Sequence, residues 1–429
     1  MPDRSLDVWL LGELVGQLDQ TAGRLTFTYD AAWLGRPHAV PLSASLPLQE
    51  KPFDDRTARP FFAGLLPEQD KRHQVARAIG VSERNDFALL DALGGECAGA
   101  VSFTHPGEKP IEQGTDLDYR MLDDHELATI IDELPERPLL AGEEGIRLSL
   151  AGAQDKLPVL VVDGRIALPL HGAPSSHILK PAIRRIVDSV HNEGFCLALA
   201  KAIDLNAVAA EIRDAQGRPY LLVERYDRVR GPDNRPRRVH QEDFCQALGV
   251  APEYKYQNEG GPSVADCFAL VRKATRPAAL YLPQLLDALL FNTLVGNNDA
   301  HAKNYSLVYG SEGTTLAPLY DVLCTAIYPE LTAKMAMKIG GHYKFSDIFP
   351  RHWERFAQGA DLSAPQTRRR LLELTQLLPE AARKLRDDFA TRGQRTPLID
   401  QIVESIEHYC DLTRSRFDKT APQGHEHAG

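Results

Sequence analysis

The sequence predicts an α+β protein made of two unequal lobes and an extra N-terminal module. Paired strand patterns concentrate in residues 145–230, whereas helical periodicity dominates residues 231–418. Residues 1–105 mix short strands with helices and are expected to form a separate small α+β module. Because strands and helices are segregated along the chain, a β-rich N-lobe followed by an α-helical C-lobe is the expected architecture.

The N-terminal module begins with two strand-like segments, Val8–Leu11 and Leu25–Tyr29, and a helical pattern follows at Gln69–Ile79. Residues 106–144 are mostly polar, with a short helical pattern around Glu126–Leu134, and we expect a linker region there. Residues 419–429 are small and polar, and they predict a disordered tail.

The β-rich lobe is predicted mainly from hairpins. Asp163-Gly164 separates two apolar runs, 157–162 and 165–168, and this dipeptide is typical of a type I′ turn. The other elements expected in this lobe are a strand at 176–181, a helix at 192–203 and a second strand pair at 207–212 and 219–223.

The helical lobe is predicted from leucines that recur at helical spacing over residues 282–295, where Gly296 ends the helix. A short hairpin is expected within 304–319. Helical patterns return at 368–385 and, after a break, continue to Ile406.

Composition limits the class of protein. The chain has 429 residues, of which 43% are hydrophobic and 25% charged, as is ordinary for a globular protein. Its net charge of −10 argues against unaided binding to nucleic acid, because phosphate contacts need clustered Lys and Arg. One arginine-rich run, 228–238, contains proline and glycine, and we interpret it as a solvated turn between strands.

Cysteine usage favours the cytoplasm. The six cysteines are widely spaced and form no CxxC pair, so we expect reduced thiols rather than disulfides or a zinc site. The first residues lack the apolar core of a signal peptide, and the longest apolar runs are too short for a membrane span. We therefore expect a cytoplasmic protein with no membrane partner.

The segment Gly296–Asn304 carries the most informative chemical pattern. Asp299 precedes Asn304 by five residues, the spacing at which a kinase catalytic loop places its proton-accepting Asp and its magnesium-binding Asn. His301 occupies the place of the usual Lys and could offer a proton or a positive charge to the γ-phosphate. The alternative is that Asn297–Asp299 merely caps a turn.

Three further side chains could complete a phosphoryl-transfer site. Asp321 lies 17 residues after Asn304, where a second magnesium-binding Asp is expected, although a surface turn is the alternative. Lys180 could neutralise the α- and β-phosphates, and Glu193 could pair with it. The alternatives are an edge-strand lysine that guards against aggregation and a first-turn glutamate favoured by the helix dipole.

Two backbone segments could bind a nucleotide. Small residues in Ser149–Lys156 would let N–H groups approach phosphate oxygens, but the segment matches neither GxGxxG nor a Walker A pattern, and an ordinary loop is the alternative. Glu224–Tyr226 follows the last strand, where a kinase hinge bonds adenine or where a strand simply ends. The order of all these features predicts a two-lobed, protein-kinase-like fold that binds ATP and Mg²⁺.

Motifs along nearly the whole chain resemble those of HipA-type toxins, which are serine/threonine kinases of bacterial toxin–antitoxin systems. The similar runs are SLP (45–47), FFAGLLPE (61–68), SLAGAQDK (149–156), HILKP (177–181), NEGFC (192–196), VERYDR (223–228), GNNDAHAKN (296–304) and PLYD (318–321).

The resemblance implies a role for each candidate residue. Asp299 would be the catalytic Asp, and Asn304 and Asp321 would hold magnesium. Ser149 matches the family's autophosphorylation position, where a phosphate of about −1.5 to −2 charge would expel the phosphate loop by like-charge repulsion. The predicted ATP-binding residues are Ala151, Gly152, Ala153, Gln154, Lys156, Lys180, Glu193, Glu224 and Tyr226.

The resemblance also implies partners. A small DNA-binding antitoxin of the HipB type would neutralise the kinase and supply most of the affinity for operator DNA, which suits the acidic charge of this chain. The protein substrate would be a translation component such as an aminoacyl-tRNA synthetase, and its phosphorylation would halt growth. Three other functions stay open, namely a pseudo-kinase corepressor module in an antitoxin–DNA complex, a small-molecule phosphotransferase and a metal-dependent hydrolase built on Asp299 and His301.

Overall fold

The computed structural model describes residues 4–110, 118–232 and 235–419. They form an N-terminal module and two lobes, and residues from all three parts line one central cleft. From residue 420 onward, the predicted tail lies outside the described residues.

The N-terminal module is a four-stranded antiparallel sheet, of order β3-β2-β1-β4, packed against helices. Alternate residues of the third strand, such as Leu25, Phe27 and Tyr29, are buried, which is why this segment forms a half-buried strand. The elements are β1 (Arg4–Leu10), β2 (Glu13–Thr21), β3 (Arg24–Tyr29), α1 (Ala31–Leu34), α2 (Asp55–Ala63), α3 (Gln69–Ile79), α4 (Asp86–Leu93) and β4 (Val101–Thr104).

The β-rich lobe contains a six-stranded sheet of order β5-β7-β6-β8-β10-β9. Asp163 and Gly164 have φ values of +48° and +79°, so they form the predicted two-residue turn with positive φ at both positions. The elements are β5 (Tyr119–Met121), α5 (Asp124–Glu133), β6 (Leu157–Val162), β7 (Arg165–Pro169), β8 (His177–Pro181), α6 (Ser189–Ala202), β9 (Ala210–Ala215) and β10 (Arg218–Glu224).

The stretch 106–144 is not a simple linker in the part that is described. β5 pairs with β7 and extends the six-stranded sheet, and α5 buries Leu127, Ile130 and Ile131 in the core of the lobe. Leu127, Ile130, Ile131 and Leu134 do recur at helical spacing, but the polar composition of the rest of the segment favoured a linker, and a strand of only three residues gives no periodic signal.

The C-lobe is mostly helical and includes a three-stranded sheet of order β13-β14-β15. Phe195 of α6 and Phe389 of the long C-lobe helix pack edge to face at 5.3 Å, and this contact ties the two lobes together. The elements are β11 (Arg228–Arg230), β12 (Pro236–Arg238), β13 (His240–Asp243), α7 (Phe244–Ala247), α8 (Val264–Ala274), α9 (Ala278–Leu294), β14 (Ser306–Gly310), β15 (Gly313–Leu316), α10 (Pro350–Gly359), α11 (Ala364–Thr391) and α12 (Pro397–Asp418).

The interpretation of the run 228–238 as a solvated turn is wrong at both of its ends. Arg228 and Arg238 are paired across β11 and β12, and both side chains are buried against Glu96 of the N-terminal module. Arg225 also contacts Glu96, at 3.2 Å. Although burial opposes it, the positive charge of these arginines lowers the pKa of Glu96 to about 2. Arg228 and Arg238 are therefore buried because they pair with the buried carboxylate of Glu96, although the composition of their segment alone predicts exposed side chains.

Within the described residues, no helix is both long and apolar enough to cross a bilayer.

Candidate active site

A cleft of about 540 Å³ lies between the lobes. Its walls combine apolar side chains, including Ile178, Val208 and Val223, with charged side chains, and such a mixture suits a ligand that has both a flat apolar part and anionic groups. The predicted residues that line it are Ala151, Gly152, Ala153, Gln154, Lys156, Lys180, Glu224, Tyr226, Asp299, His301, Asn304 and Asp321.

Lys180 connects the two lobes across the cleft. β8 carries this residue, and its Nζ lies 2.6 Å from Oε1 of Glu193 on α6 and 2.9 Å from Oδ1 of Asp321 in the C-lobe. Lys180 and Glu193 are buried, so each charge is stabilised by the other rather than by water. Burial opposes the charged form, but Asp321 and Glu193 raise the pKa of Lys180 and keep it a cation.

Asp321 is held in an unusual backbone conformation. Its φ is +58°, in the left-handed region that a non-glycine residue adopts at a cost of about 1–3 kcal/mol. Although burial opposes it, the charges of Lys180 and Lys156 hold the pKa of Asp321 well below its ordinary value. The structure thus fixes an ionised carboxylate at one position in the cleft.

The catalytic-loop candidate is braced by its own side chains after α9 ends. Asn297 Nδ2 donates to Oδ1 of Asn292 at 2.8 Å, and Asn297 Oδ1 accepts from the backbone N–H of Asp299 at 3.2 Å. Asn297 therefore caps the turn, as the alternative interpretation expected, while the Asp299 carboxylate stays outside that turn. Its Oδ1 accepts a 2.8 Å hydrogen bond from the Tyr256 hydroxyl.

Asn304 links this loop to Asp321. Its Oδ1 accepts from the backbone N–H of His301 at 3.0 Å, and its Nδ2 donates to Asp321 Oδ2 at 2.9 Å. Burial lowers the pKa of His301 despite the attraction of Asp299, so the neutral ring predominates near pH 7. A positive charge on His301, one of the two roles that the sequence suggested, is therefore disfavoured.

The predicted phosphate loop contacts the N-terminal module. Lys156 Nζ donates to the Ala151 carbonyl at 2.5 Å, and burial together with the charge of Lys180 lowers the pKa of Lys156 to about 8. The Gly152 carbonyl accepts from the N–H of Glu68 at 3.1 Å. Ser149 is fully buried and donates a 2.8 Å hydrogen bond to the Leu65 carbonyl.

The predicted hinge lies along the apolar wall of the cleft. The backbone N–H of Glu224 already donates to the Ala209 carbonyl at 2.8 Å. Of its two backbone groups, only the carbonyl therefore remains to bond the base of a nucleotide. Tyr226 stacks on Tyr320 with ring centroids 5.5 Å apart, and its hydroxyl donates to Gln241 at 2.9 Å. Tyr226 therefore brings a side chain to the cleft as well as its backbone.

Several charged residues of the site escaped the sequence analysis. Glu68 enters from the N-terminal module and pairs with Lys255 at 2.8 Å, while its other oxygen lies 3.8 Å from Lys303. Lys303 also pairs with Asp243 at 2.5 Å. Burial opposes ionisation of Glu68, yet the two lysines lower its pKa. Lys303 belongs to the GNNDAHAKN run, but nothing local in the sequence connects Glu68 with that loop.

The oxygens present fit a hard cation shared with a nucleotide. Asp321 carries carboxylate oxygens and Asn304 an amide oxygen, the types of ligand that Mg²⁺ prefers. Asn304 here turns Nδ2 toward Asp321 while its Oδ1 accepts from the His301 N–H, so its amide would have to turn over to bind a cation beside Asp321. Among the described residues, no group of three or more His, Cys, Asp or Glu side chains could hold a metal ion. A cation with so few protein ligands needs phosphate oxygens to complete its coordination, as is usual for Mg²⁺ in kinases.

A buried Lys–Glu pair, an Asp–Asn loop and a second Asp around one interlobe cleft define a protein-kinase-like class of phosphotransferase. Family comparison agrees with this class. The model described as the HipA-like C-terminal domain matches residues 148–384, and that of the HipA N-terminal domain matches residues 6–104. The chain belongs to the HipA family.

Two relatives cover most of this chain. One relative is a Sinorhizobium fredii protein, Y4mE, which is named as a kinase. It is 46% identical over 417 residues, which are 96% of this chain and 99% of the relative. The serine/threonine-protein kinase toxin HipA of Shewanella oneidensis is 30% identical over 386 residues, which are 86% of this chain and 87% of the toxin. The names of these two relatives support the assignment of this chain as a kinase.

A solved structure shares the whole fold. It is the Shewanella oneidensis MR-1 toxin–antitoxin complex of HipA, HipB and operator DNA, and one of its chains matches with a TM-score of 0.83 and 26% identity. The match covers 96% of this chain and 98% of that one. The predicted two-lobed α+β architecture, with its sheet-rich N-terminal part and helical C-terminal part, is confirmed.

Proposed function

We propose that this protein is an ATP-dependent serine/threonine protein kinase that acts as the toxin of a toxin–antitoxin pair. The observation that carries the proposal is one continuous set of contacts in the cleft. Glu193 contacts Lys180, Lys180 contacts Asp321, and Asp321 contacts Asn304, whose loop also carries Asp299. A scaffold without phosphotransfer would have no need to keep these charged and polar side chains in mutual contact around the cleft.

Each residue of the set has a role in phosphoryl transfer. Magnesium bound with ATP would neutralise charge on the transferred phosphoryl group. Asn304 and Asp321 would hold that metal, and Lys180, oriented by Glu193, would bind the nucleotide phosphates. Asp299 would accept the proton as the acceptor oxygen bonds to the γ-phosphorus and the bond to the departing ADP oxygen breaks.

The nucleotide would span the two kinds of wall in the cleft. Its base would lie against the apolar side chains near Glu224 and Tyr226, and its phosphates would meet the loop 151–154 and Lys156. His301 would contribute as a neutral ring beside Asp299. The cavity of about 540 Å³ is within the usual range for a ligand of this size.

In the cell, the proposed target is a translation-related protein such as an aminoacyl-tRNA synthetase, and its phosphorylation would arrest growth. The Shewanella relative of known structure assembles with HipB and operator DNA. By analogy, a HipB-like antitoxin would silence this kinase and would provide most of the DNA contacts. Autophosphorylation at Ser149 would be a second route to silencing. All six cysteines are free and buried, as suits the cytoplasm.

The decisive experiment compares the wild type with Asp299→Asn. Induction of the wild type alone should stop growth and add phosphate to a protein of the translation machinery, as read by phosphoproteomics, whereas the variant should do neither. Incubation with Mg-ATP should increase the intact mass of the wild type by one phosphate, and Ser149→Ala should abolish that increase. Phosphate transfer to a sugar or an aminoglycoside, but never to a protein, would refute the proposal.

A further inference from the structure

Residues 332–344 lie directly against the catalytic loop. The N–H of Ala336 donates to the Asn298 carbonyl at 2.8 Å, and the N–H of Lys338 donates to Oε1 of Gln257 at 2.7 Å. The preceding residue, Tyr256, donates its hydroxyl to Asp299. The segment therefore borders the place where an acceptor hydroxyl would meet Asp299.

This segment and the start of α10 carry five cationic side chains, which we call the cationic surface. Short contacts join its parts, since Arg355 donates to the Gly340 carbonyl at 3.4 Å and the rings of His342 and His352 stack at 4.1 Å. Burial and the charges of the surrounding cations together lower the pKa of His352. The residues that define the cationic surface are Lys334, Lys338, Lys344, Arg351 and Arg355.

In the part of the chain that the structure describes, the cationic surface is free of direct ion pairs, although exposed carboxylates of Glu330, Asp347 and Glu354 lie close by in the chain. Across the described ranges, none of its five side chains forms an ion pair with a carboxylate, and four of the five are exposed. Residues 331–346 contain no Asp or Glu, although the whole chain has a net charge of −10. Exposed apolar side chains, Leu331 and Phe349, lie within or beside the same stretch of chain.

We propose that the cationic surface binds the phospho-acceptor itself, and that the acceptor is a protein segment with acidic residues next to the phosphorylated Ser or Thr. The proposal rests on the kinase function proposed above and adds the class of substrate. Charge complementarity beside Asp299 supports it. Asp347 and Glu354 are exposed beside Arg351 and Arg355 and interrupt the continuous positive stripe that a nucleic-acid backbone requires. A short acidic peptide needs only the stretch 331–346, which has three lysines and no Asp or Glu, so it fits better than nucleic acid.

The test uses the full-length protein, Mg-ATP and two peptides that present the same serine between either glutamates or lysines. The wild type should show a KM about tenfold lower for the glutamate peptide than for the lysine peptide at low ionic strength. This preference should shrink in 0.5 M NaCl, because the electrostatic screening length falls to about 4 Å. Charge reversal of the surface by Lys334→Glu, Lys338→Glu and Lys344→Glu should abolish or invert the preference. The matched control, Arg24→Glu, Lys51→Glu and Arg56→Glu, reverses three exposed charges of the N-terminal module and should keep it.

Three results separate the possible failures. Equal KM values for the two peptides in the wild type, or an unchanged preference in the triple variant, would overturn the acidic-acceptor proposal while leaving the kinase intact. Competition by transfer RNA, without any effect of peptide charge, would assign the surface to nucleic acid and would also overturn it. No transfer from ATP to either peptide or to the kinase itself would instead refute the proposed function.

Discussion

The hydroxyl of Tyr256 donates a 2.8 Å hydrogen bond to Oδ1 of Asp299, the residue that we propose accepts the proton of the substrate. An acceptor hydroxyl that approaches this oxygen would compete with the tyrosine for it. Tyr256→Phe should therefore lower the KM for a peptide acceptor by about 2- to 10-fold, since a net hydrogen bond is worth about 0.5–1.5 kcal/mol. Steady-state kinetics at saturating ATP measures the change.

Tyr254→Phe is the matched control for that variant. Tyr254 lies two residues away, is 55% exposed and does not line the cleft, so its loss should leave the acceptor KM unchanged. An unchanged KM with a lower kcat for Tyr256→Phe would show instead that the tyrosine orients Asp299 for catalysis.

Glu68 from the N-terminal module neutralises two lysines beside the catalytic loop. Glu68→Gln should cost about 3–5 kcal/mol of unfolding free energy, because it leaves Lys255 and Lys303 with one carboxylate fewer in a buried place. Urea denaturation measures this loss. Glu13→Gln, which breaks an exposed pair with Arg36, should cost under about 1 kcal/mol. Equal losses in the two variants would mean that Glu68 adds no more than a surface charge does.

Gly152 has φ of +110°, and a Cβ at this position would lie 2.7 Å from Lys156 Nζ. Gly152→Ala should therefore displace Lys156 and weaken ATP binding by about tenfold, which corresponds to about 1.4 kcal/mol. Calorimetric titration with Mg-ATP tests it. Gly164→Ala changes another glycine of positive φ, where a Cβ meets nothing within 4 Å, and it should bind ATP like the wild type.

Glu242 makes the stability dependent on pH. Burial raises its pKa from 4.5 to about 7, although Ser43, Ala44 and Tyr309 donate hydrogen bonds to it. The folded state thus binds a proton more tightly than the unfolded chain, and this carboxyl should reduce stability by about 3 kcal/mol as pH rises from about 4.5 to about 7.

Glu242→Gln should remove that contribution. The difference in unfolding free energy between the wild type and Glu242→Gln, measured in urea at about pH 5 and about pH 8, should shift in favour of the variant at the higher pH. A difference that stays constant with pH would show that Glu242 titrates normally in the folded protein.

Local chemistry was enough to predict the elements that set the frame of the cleft. Asp163-Gly164 specifies a turn by backbone sterics, and the leucines of α9 mark a buried helix, so each feature is encoded within a few residues. The Lys180–Glu193 contact was also expected from the sequence, although α6 begins at Ser189, so Glu193 lies in its second turn and not in the first turn where the sequence placed it.

Contacts between distant parts of the chain were not predictable in the same way. Glu96 and Glu68 reach the hinge and the catalytic loop from the N-terminal module, and no periodicity marks a residue whose partners lie far along the chain. The neutral state of His301 likewise depends on how deeply the fold buries it.

The buried position of Ser149 restricts when a phosphate could be attached to it. Its hydroxyl is closed off from solvent and bonded to Leu65, so any enzyme that modifies it must capture the loop after the loop has swung away from the N-terminal module. A phosphate is too large and too polar to re-enter the vacated space, and the loop would remain outside. A phosphate on Ser149 would therefore keep the loop displaced until a phosphatase removed it.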